Sequence, residues 1–254
     1  MNKDSRQMIL NRLDHVNLIF SLRHQFTGRS LIQHFVEDGV VRGAYHPWTF
    51  FDALIYYLLL TCFDLLGQSP EWVPFTGWLE SKRKAVEREE AVKSIPDGSN
   101  PVDIARHLNS RYQASYGVRL SFNRFILDIL TEEERATLYS SIRIVRGRMG
   151  GDPNTSYPAL GYVVDEKSKL EFLFNLRNKF THNAVIMGSP AAGISPVVYE
   201  GFAIDGKLEK VYSEIHREAK NGEWLSYTVR DWPFVLKSLV ESALARQQTI
   251  HNSA

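Results

Sequence analysis

A chain of 254 residues with 44% hydrophobic side chains has enough apolar material for one large core or two small ones. Its 30 lysines and arginines balance 29 aspartates and glutamates, which excludes a general polyanion-binding field and leaves any nucleic-acid contact to a local patch. Cys62 is the only cysteine, so an intrachain disulfide and a cysteine-built zinc site are excluded and a reducing compartment is expected.

The opening Met1-Asn2-Lys3-Asp4-Ser5-Arg6 has no apolar signal core, and a cytoplasmic protein is expected. From residue 5 to residue 26, Ile9, Leu13, Val16 and Phe20 recur at helical spacing, and a second short helix is expected around Leu31 to Val36, stopped by Gly39. Gly39, Gly43 and Pro47 mark a boundary, so residues 1–46 read as an N-terminal helical arm. Its histidines, His15, His24, His34 and His46, share no regular spacing with carboxylates, and no metal site is expected.

Thr49 with Asp52 has the pattern of a capping box opening a helix to about Leu66, before Gly67, Ser69 and Pro70. Apolar groups cover nearly every side of it, so it should be buried all round. The run Ala53 to Phe63, between Asp52 and Asp64, is far short of the roughly 20 residues a membrane crossing needs. The next expected helix, Gly77 to Val92, carries mixed charges over a thin stripe of Leu79 and Val86 and reads as a solvated surface.

After the Pro96–Pro101 loop, Ile104, Leu108 and Tyr112 predict a helix, and another apolar segment spans Leu120 to Leu130. Thr131 and Glu134 form a second capping box, expected to start a helix through Leu138, Ile142 and Val145 before Gly147. Between Val102 and Arg148 eight arginines face five acids, interleaved with Tyr112, Tyr116, Phe122 and Phe125. Arginine forks suit phosphates and aromatic faces stack on unpaired bases, which makes Arg106, Arg111, Arg143 and Arg146 candidate RNA-binding residues. The plainer reading, a core of aromatics under solvated arginines, is favoured because the aromatic positions also fit apolar stripes.

Residues 147–164 read as a long loop, and Asp165 as the cap of a helix that Phe172, Leu173 and Leu176 pack into the core. That helix ends in a cation, an amide and an imidazole, at Arg177, Asn178 and His182, before the Gly188–Pro196 breaker segment. From Val197 the period changes, and the turn dipeptides Asp205-Gly206 and Asn221-Gly222 predict a three-stranded meander in which Val211 and Ile215 share a face with Leu225, Tyr227 and Val229 if the register pairs them. Asp231 and Pro233 should open a last helix that turns Leu236, Leu239, Val240, Ala243 and Leu244 inward.

An arginine five residues before a histidine also occurs at Arg29 with His34 and at Arg246 with His251, so spacing alone does not single out the middle copy. What does is the amide directly after Arg177, the apolar run before it and the loop after it. In a straight helix Asn178 and His182 share a face, whereas Arg177 and His182 point about 140° apart, and a break near Thr181 would let all three converge. Such a group suits RNA cleavage without metal: an imidazole with a pKa near ~6.5 moves protons and a guanidinium clamps the phosphate. One histidine cannot be acid and base together, but two across a symmetric dimer can.

Arg177, Asn178 and His182 in this helical setting resemble the signature of the HEPN superfamily: an arginine, a polar residue, a few residues and a histidine. The resemblance implies a mainly α fold, a HEPN-like helical bundle over 47–187 and 231–254, beside which the residue patterns place the helical arm 1–46 and a small antiparallel β-meander inserted at 188–230. It implies a metal-independent endoribonuclease that works as a homodimer without cofactor or membrane, often a bacterial toxin or antiviral effector, with RNA and an antitoxin or regulatory protein as partners. Arg177 would stabilise the phosphate, Asn178 orient the groups and His182 serve as acid or base. Ala184 stands where one branch of the family has a modified tyrosine, so regulation of that kind is not expected.

Two other readings stand beside it. One is an inactive HEPN-like module for dimerisation or partner binding, in which Arg177 makes a helix-end ion pair, His182 caps the last carbonyls and the meander recognises the partner. The other, a nucleotide sensor clamped by Arg177, lacks a glycine-rich phosphate loop, and Asp152, Asp165 and Glu166 have no metal-ligand spacing.

Overall fold

In a computed structural model of the protein, the backbone is described for residues 3–26, 33–37, 40–45, 49–148, 161–163, 165–183, 198–199, 212–220 and 223–252, and side chains for 4–21, 54–147, 165–178, 223 and 225–248. The described residues are mainly helical. Helix α1 (Lys3–Phe26) is followed by a hairpin of β1 (Gln33–Glu37) and β2 (Val40–Tyr45), and then by α2 (Thr49–Gly67). Residues 33–36 of the helix expected at Leu31 to Val36 are therefore strand, and the described part of the arm 1–46 is a helix plus a hairpin. Gly39 is the turn signal between two short β-branched runs, a hairpin pattern that outweighs a helix of a turn and a half.

Helix α2 is the axis of the molecule. Ile55, Tyr56, Leu59, Leu60, Cys62, Phe63, Leu65 and Leu66 are all buried, as an all-round apolar helix requires. Ile9, Leu13 and Val16 of α1 cover one of its sides. Its end lies against α6 (Val118–Arg124), where Gly67 approaches so closely that a Cβ there would sit 1.8 Å from the Ser121 carbonyl oxygen. The Thr49 and Asp52 capping pattern involves side chains outside those described.

Between α2 and α6 lies a smaller unit: α3 (Phe75–Glu80), a single 3-10 turn (Lys82–Lys84), α4 (Ala85–Lys93) and α5 (Pro101–Tyr116). The single helix expected from Gly77 to Val92 is broken at Ser81, whose backbone is extended. Arg88 makes the break tolerable by donating to the carbonyls of Trp78 and Ser81. Leu79 and Val86 are exposed, and the buried side is Trp78, Lys84 and Ala91 against Tyr112 and Tyr116. The Lys84 ammonium donates to Glu71 and Glu87 and lies 5.0 Å from the Tyr116 ring centre, so hydrogen bonds to those carboxylates raise its pKa.

Helix α6 runs into a π-turn at Phe125–Ile129, where Leu130 N donates to Phe125 O, and both expected elements of the Thr131 capping box open α7 (Glu132–Ser140). Here a further expectation fails, because the chain leaves α7 at Ser140 and becomes β3 (Ile142–Arg148). Ile142 and Ile144 are buried while Arg143 and Val145 are half-buried, an alternation of period two. Ile142, Ile144 and Val145 are β-branched and suit a strand, but Leu138, Ile142 and Val145 fit a helical spacing as well, and the pairing with β7 decides.

After β4 (Gly161–Val163), α8 (Glu166–Asn183) carries the motif; β5 (Val198–Tyr199), β6 (Tyr212–Lys220), β7 (Glu223–Val229) and α9 (Phe234–Asn252) complete the chain. The antiparallel sheet has the order β4-β3-β7-β6-β5, so the expected meander of β5, β6 and β7 exists, but β3 and β4 extend it to five strands. It is not a self-contained insertion over 188–230: its inner strand β7 is zipped to β3 from Ile142 opposite Val229 to Arg148 opposite Glu223. Ile215 falls at a bulge between Glu214 and His216. The expected turns at Asp205-Gly206 and Asn221-Gly222, Val211 and the Gly188–Pro196 exit lie outside the described residues, as does most of the 147–164 loop.

The sheet positions α8. Phe172 stacks on Tyr227 of β7 at 4.7 Å, while Leu173 and Leu176 join the same core as α2, so α8 lies between the sheet and the central helix. Helix α9 closes the core with Leu236, Leu239, Val240, Ala243 and Leu244, all buried as expected. Among the described residues no helix is long and apolar enough to cross a membrane.

Candidate active site

Asp165 caps α8 as expected, its Oδ1 accepting from Ser168 N at 2.9 Å. Two turns later Phe172, Leu173 and Leu176 fasten the helix to the core, and this anchoring delivers Arg177 to α2. The guanidinium donates through Nε (2.9 Å) and Nη2 (2.7 Å) to the same oxygen, Oδ2 of Asp64. Its Nη1 donates to Asn178 Oδ1 at 3.1 Å. The side chains of Arg177 and Asp64 are only 14% and 11% exposed, so most of the pair's hydration has been removed.

The pair is electrostatically uneven. Because both donors converge on Oδ2, Oδ1 of Asp64 is buried without a hydrogen-bond partner among the described residues. Burial pushes the Asp64 carboxyl up to about 6, against the pull of Arg177 and, more weakly, of Arg12. Arg12 comes from α1 and donates to the Thr61 carbonyl at 2.8 Å, so cations from two helices flank one carboxyl near the end of α2.

Asp64 is the partner of Arg177, and in the sequence it stands only at the end of an apolar run. The signal was available: an acid one turn before the end of a helix otherwise buried on every side must find a cation.

Helix α8 stays helical through Asn183, so the break near Thr181 that would bring Arg177 and His182 together does not occur. Arg177 turns toward α2, and the helix positions of Asn178 and His182 share another face, one turn apart. Asn178 is thus the link, bonded to Arg177 and four residues before His182 along the helix. The His182 side chain itself lies outside the described residues.

Of the other two arginine–histidine copies, the structure separates the one at Arg246. Arg246 is a structural residue: it pairs with both carboxylate oxygens of Glu134 and donates to Ser242 Oγ and the Ile129 carbonyl, tying α9 to the α7 cap. Arg29 lies outside the described residues, as does the side chain of His34.

The proposed RNA-facing arginines do not form one surface. Arg106 and Arg111, five residues apart on α5, point about 140° apart, and Arg106 pairs with Asp103 at 2.9 Å. Arg143 and Arg146, three apart on β3, project from opposite faces of the sheet, and Arg146 lies 3.6 Å from Glu223. Tyr112, Tyr116, Phe122 and Phe125 are all buried, so the plainer reading of that block holds for its aromatics. For metals, Asp165 Oδ1 is occupied as a helix cap, Asp152 lies outside the described residues, and no group of three or more metal-ligating side chains occurs among the described residues.

No family model, curated protein or solved structure matches the chain.

Proposed function

We propose that the protein is a metal-independent endoribonuclease of HEPN type, acting as a homodimer in the manner of the bacterial toxins and antiviral effectors that share this motif. The observation that carries the proposal is the fixed, largely buried guanidinium of Arg177, braced by Asp64 and bonded to Asn178 on a helix that continues unbroken to His182. A cation held rigidly costs little reorganisation when charge develops on a phosphoryl group.

In the reaction, a neutral imidazole takes the proton of the RNA 2′-hydroxyl as its oxygen bonds to phosphorus. The bond from phosphorus to the 5′-oxygen breaks, and a protonated imidazole supplies the departing oxygen's proton. His182 of one protomer serves as base and its copy in the second protomer as acid, which is why the site needs two chains. Asn178, one turn below on the same face, orients the imidazole or the phosphate. The test is cleavage of single-stranded RNA in EDTA, with 2′,3′-cyclic phosphate and 5′-hydroxyl ends as the expected products. Cleavage that requires added divalent metal, or that leaves 5′-phosphates, overturns the proposal.

A second reading is favoured by the same ion pair: a helical module without catalysis, in which Asp64 and Arg177 simply join α2 to α8. It predicts intact RNA under all these conditions, and its partner surface is not separable as residues 197–230, because β7 is an inner strand of the sheet.

A further inference from the structure

Arg119, on α6, stands apart from the other arginines of its region. Its guanidinium carbon lies 5.4 Å from the centre of the Phe174 ring on α8, and that ring is held edge-on by Phe122 at 5.5 Å. The side chain is exposed, and among the described residues it makes no hydrogen bond or ion pair; Arg111 and Arg124 make none either, but Arg119 alone of the three rests on an aromatic ring. A guanidinium seated on an aromatic face keeps its N–H groups at the ring's periphery for an external acceptor and loses little further freedom on binding one.

Its place on the fold gives that acceptor an identity. Phe174, Asn178 and His182 occupy successive turns of α8, each step rising ~6 Å and rotating about 40°. Arg119 therefore stands at the lower end of a row whose upper end is the His182 position, ~12 Å away along the helix. At about 3.4 Å per stacked nucleotide, that is the length of three or four nucleotides of a single strand.

We infer that Arg119, seated on Phe174, binds a backbone phosphate of single-stranded RNA three or four nucleotides from the bond that is cut. The inference rests on the ribonuclease reading for the position of the cut and adds a binding contact that the motif does not contain. Contact at that distance strengthens binding of substrate and transition state alike, so it acts on KM and leaves kcat unchanged.

The test uses the full chain with His182→Ala, which holds RNA without cutting it, and a fluorescein-labelled single-stranded oligoribonucleotide titrated by anisotropy in EDTA over a series of salt concentrations. Adding Arg119→Gln should raise Kd five- to tenfold and lower the slope of log K against log salt by about 0.7, the value for one phosphate contact on a single strand. Adding Arg83→Gln, at an exposed arginine of the 3-10 turn, should change neither. In the cutting protein Arg119→Gln should raise KM by the same factor at constant kcat. An unchanged Kd and slope in a protein that binds and cuts RNA overturns the Arg119 contact and leaves the ribonuclease reading standing. Binding that depends on Arg119 without any cutting by the wild type overturns the ribonuclease and keeps the contact, and absence of both binding and cutting overturns the two together.

Discussion

Two carboxyls pull the protein's stability in opposite directions with pH. Burial raises Asp64 from 3.8 to about 6, so within that window the native state holds a proton the unfolded chain has released, and the group's contribution to stability falls as pH rises. Asp64→Asn should cancel this slope, visible as a wild-type-minus-mutant difference in urea midpoints that declines from pH 4 to pH 6 and then levels. Asp64→Ala leaves Arg177 without its counter-ion and should cost about 3 kcal/mol at pH 7. Glu134 behaves in the reverse sense. Burial pushes it up, but hydrogen bonds from Arg246, Ser242 and the Thr131 backbone outweigh that and bring it from 4.5 down to about 2. Its contribution is present above pH 4.5 and lost as pH falls toward 2, and Glu134→Gln should remove that acid sensitivity. An unfolding curve for Glu134→Gln with the wild-type acid limb contradicts the network's role.

At the scale of elements, the closest joint is where α2 meets α6. Gly67→Ala places a methyl group 1.8 Å from the Ser121 carbonyl oxygen and 2.9 Å from Phe125 N, both backbone atoms that cannot rotate away. Separating the helices should cost 3 kcal/mol or more, about the upper end of what overpacking usually exacts, and chemical denaturation measures it. Wild-type stability in that variant would show that α6 yields. The helices of this layer were legible in the sequence because each carries a stripe of its own: Ile9, Leu13 and Val16, or Leu236, Leu239, Val240 and Ala243. Strand β3 was not, because Leu138, Ile142 and Val145 also fit a helical spacing, and only pairing with β7 decides between the two periods. The π-turn at Phe125–Ile129 and the break at Ser81 have no marker in a single sequence, since both follow from how neighbouring carbonyls are satisfied. Asp64 was visible as a residue and invisible as a partner: its cation stands 113 positions away.

For the whole molecule, the order of strands makes the sheet part of the fold. The segment after α8 supplies the inner strand, and α8 itself is held between that strand and α2 by Phe172, Leu173 and Leu176. Deleting residues 198–229 should therefore abolish the cooperative thermal transition, and a deletion that melts like the parent would make the sheet an independent unit after all. The same arrangement explains why the motif is half legible. Its residues and its helix could be read from the sequence; the direction of Arg177, toward Asp64 and away from the His182 position, depends on a packing that spans the chain. The proposal that this helix end cuts RNA through His182 is tested by the single-turnover cleavage rate of the wild type against His182→Ala in EDTA. A catalytic His182 should give a loss of roughly a hundredfold to ten-thousandfold in the mutant, with its fold and RNA affinity kept. Equal rates in the two proteins would contradict it.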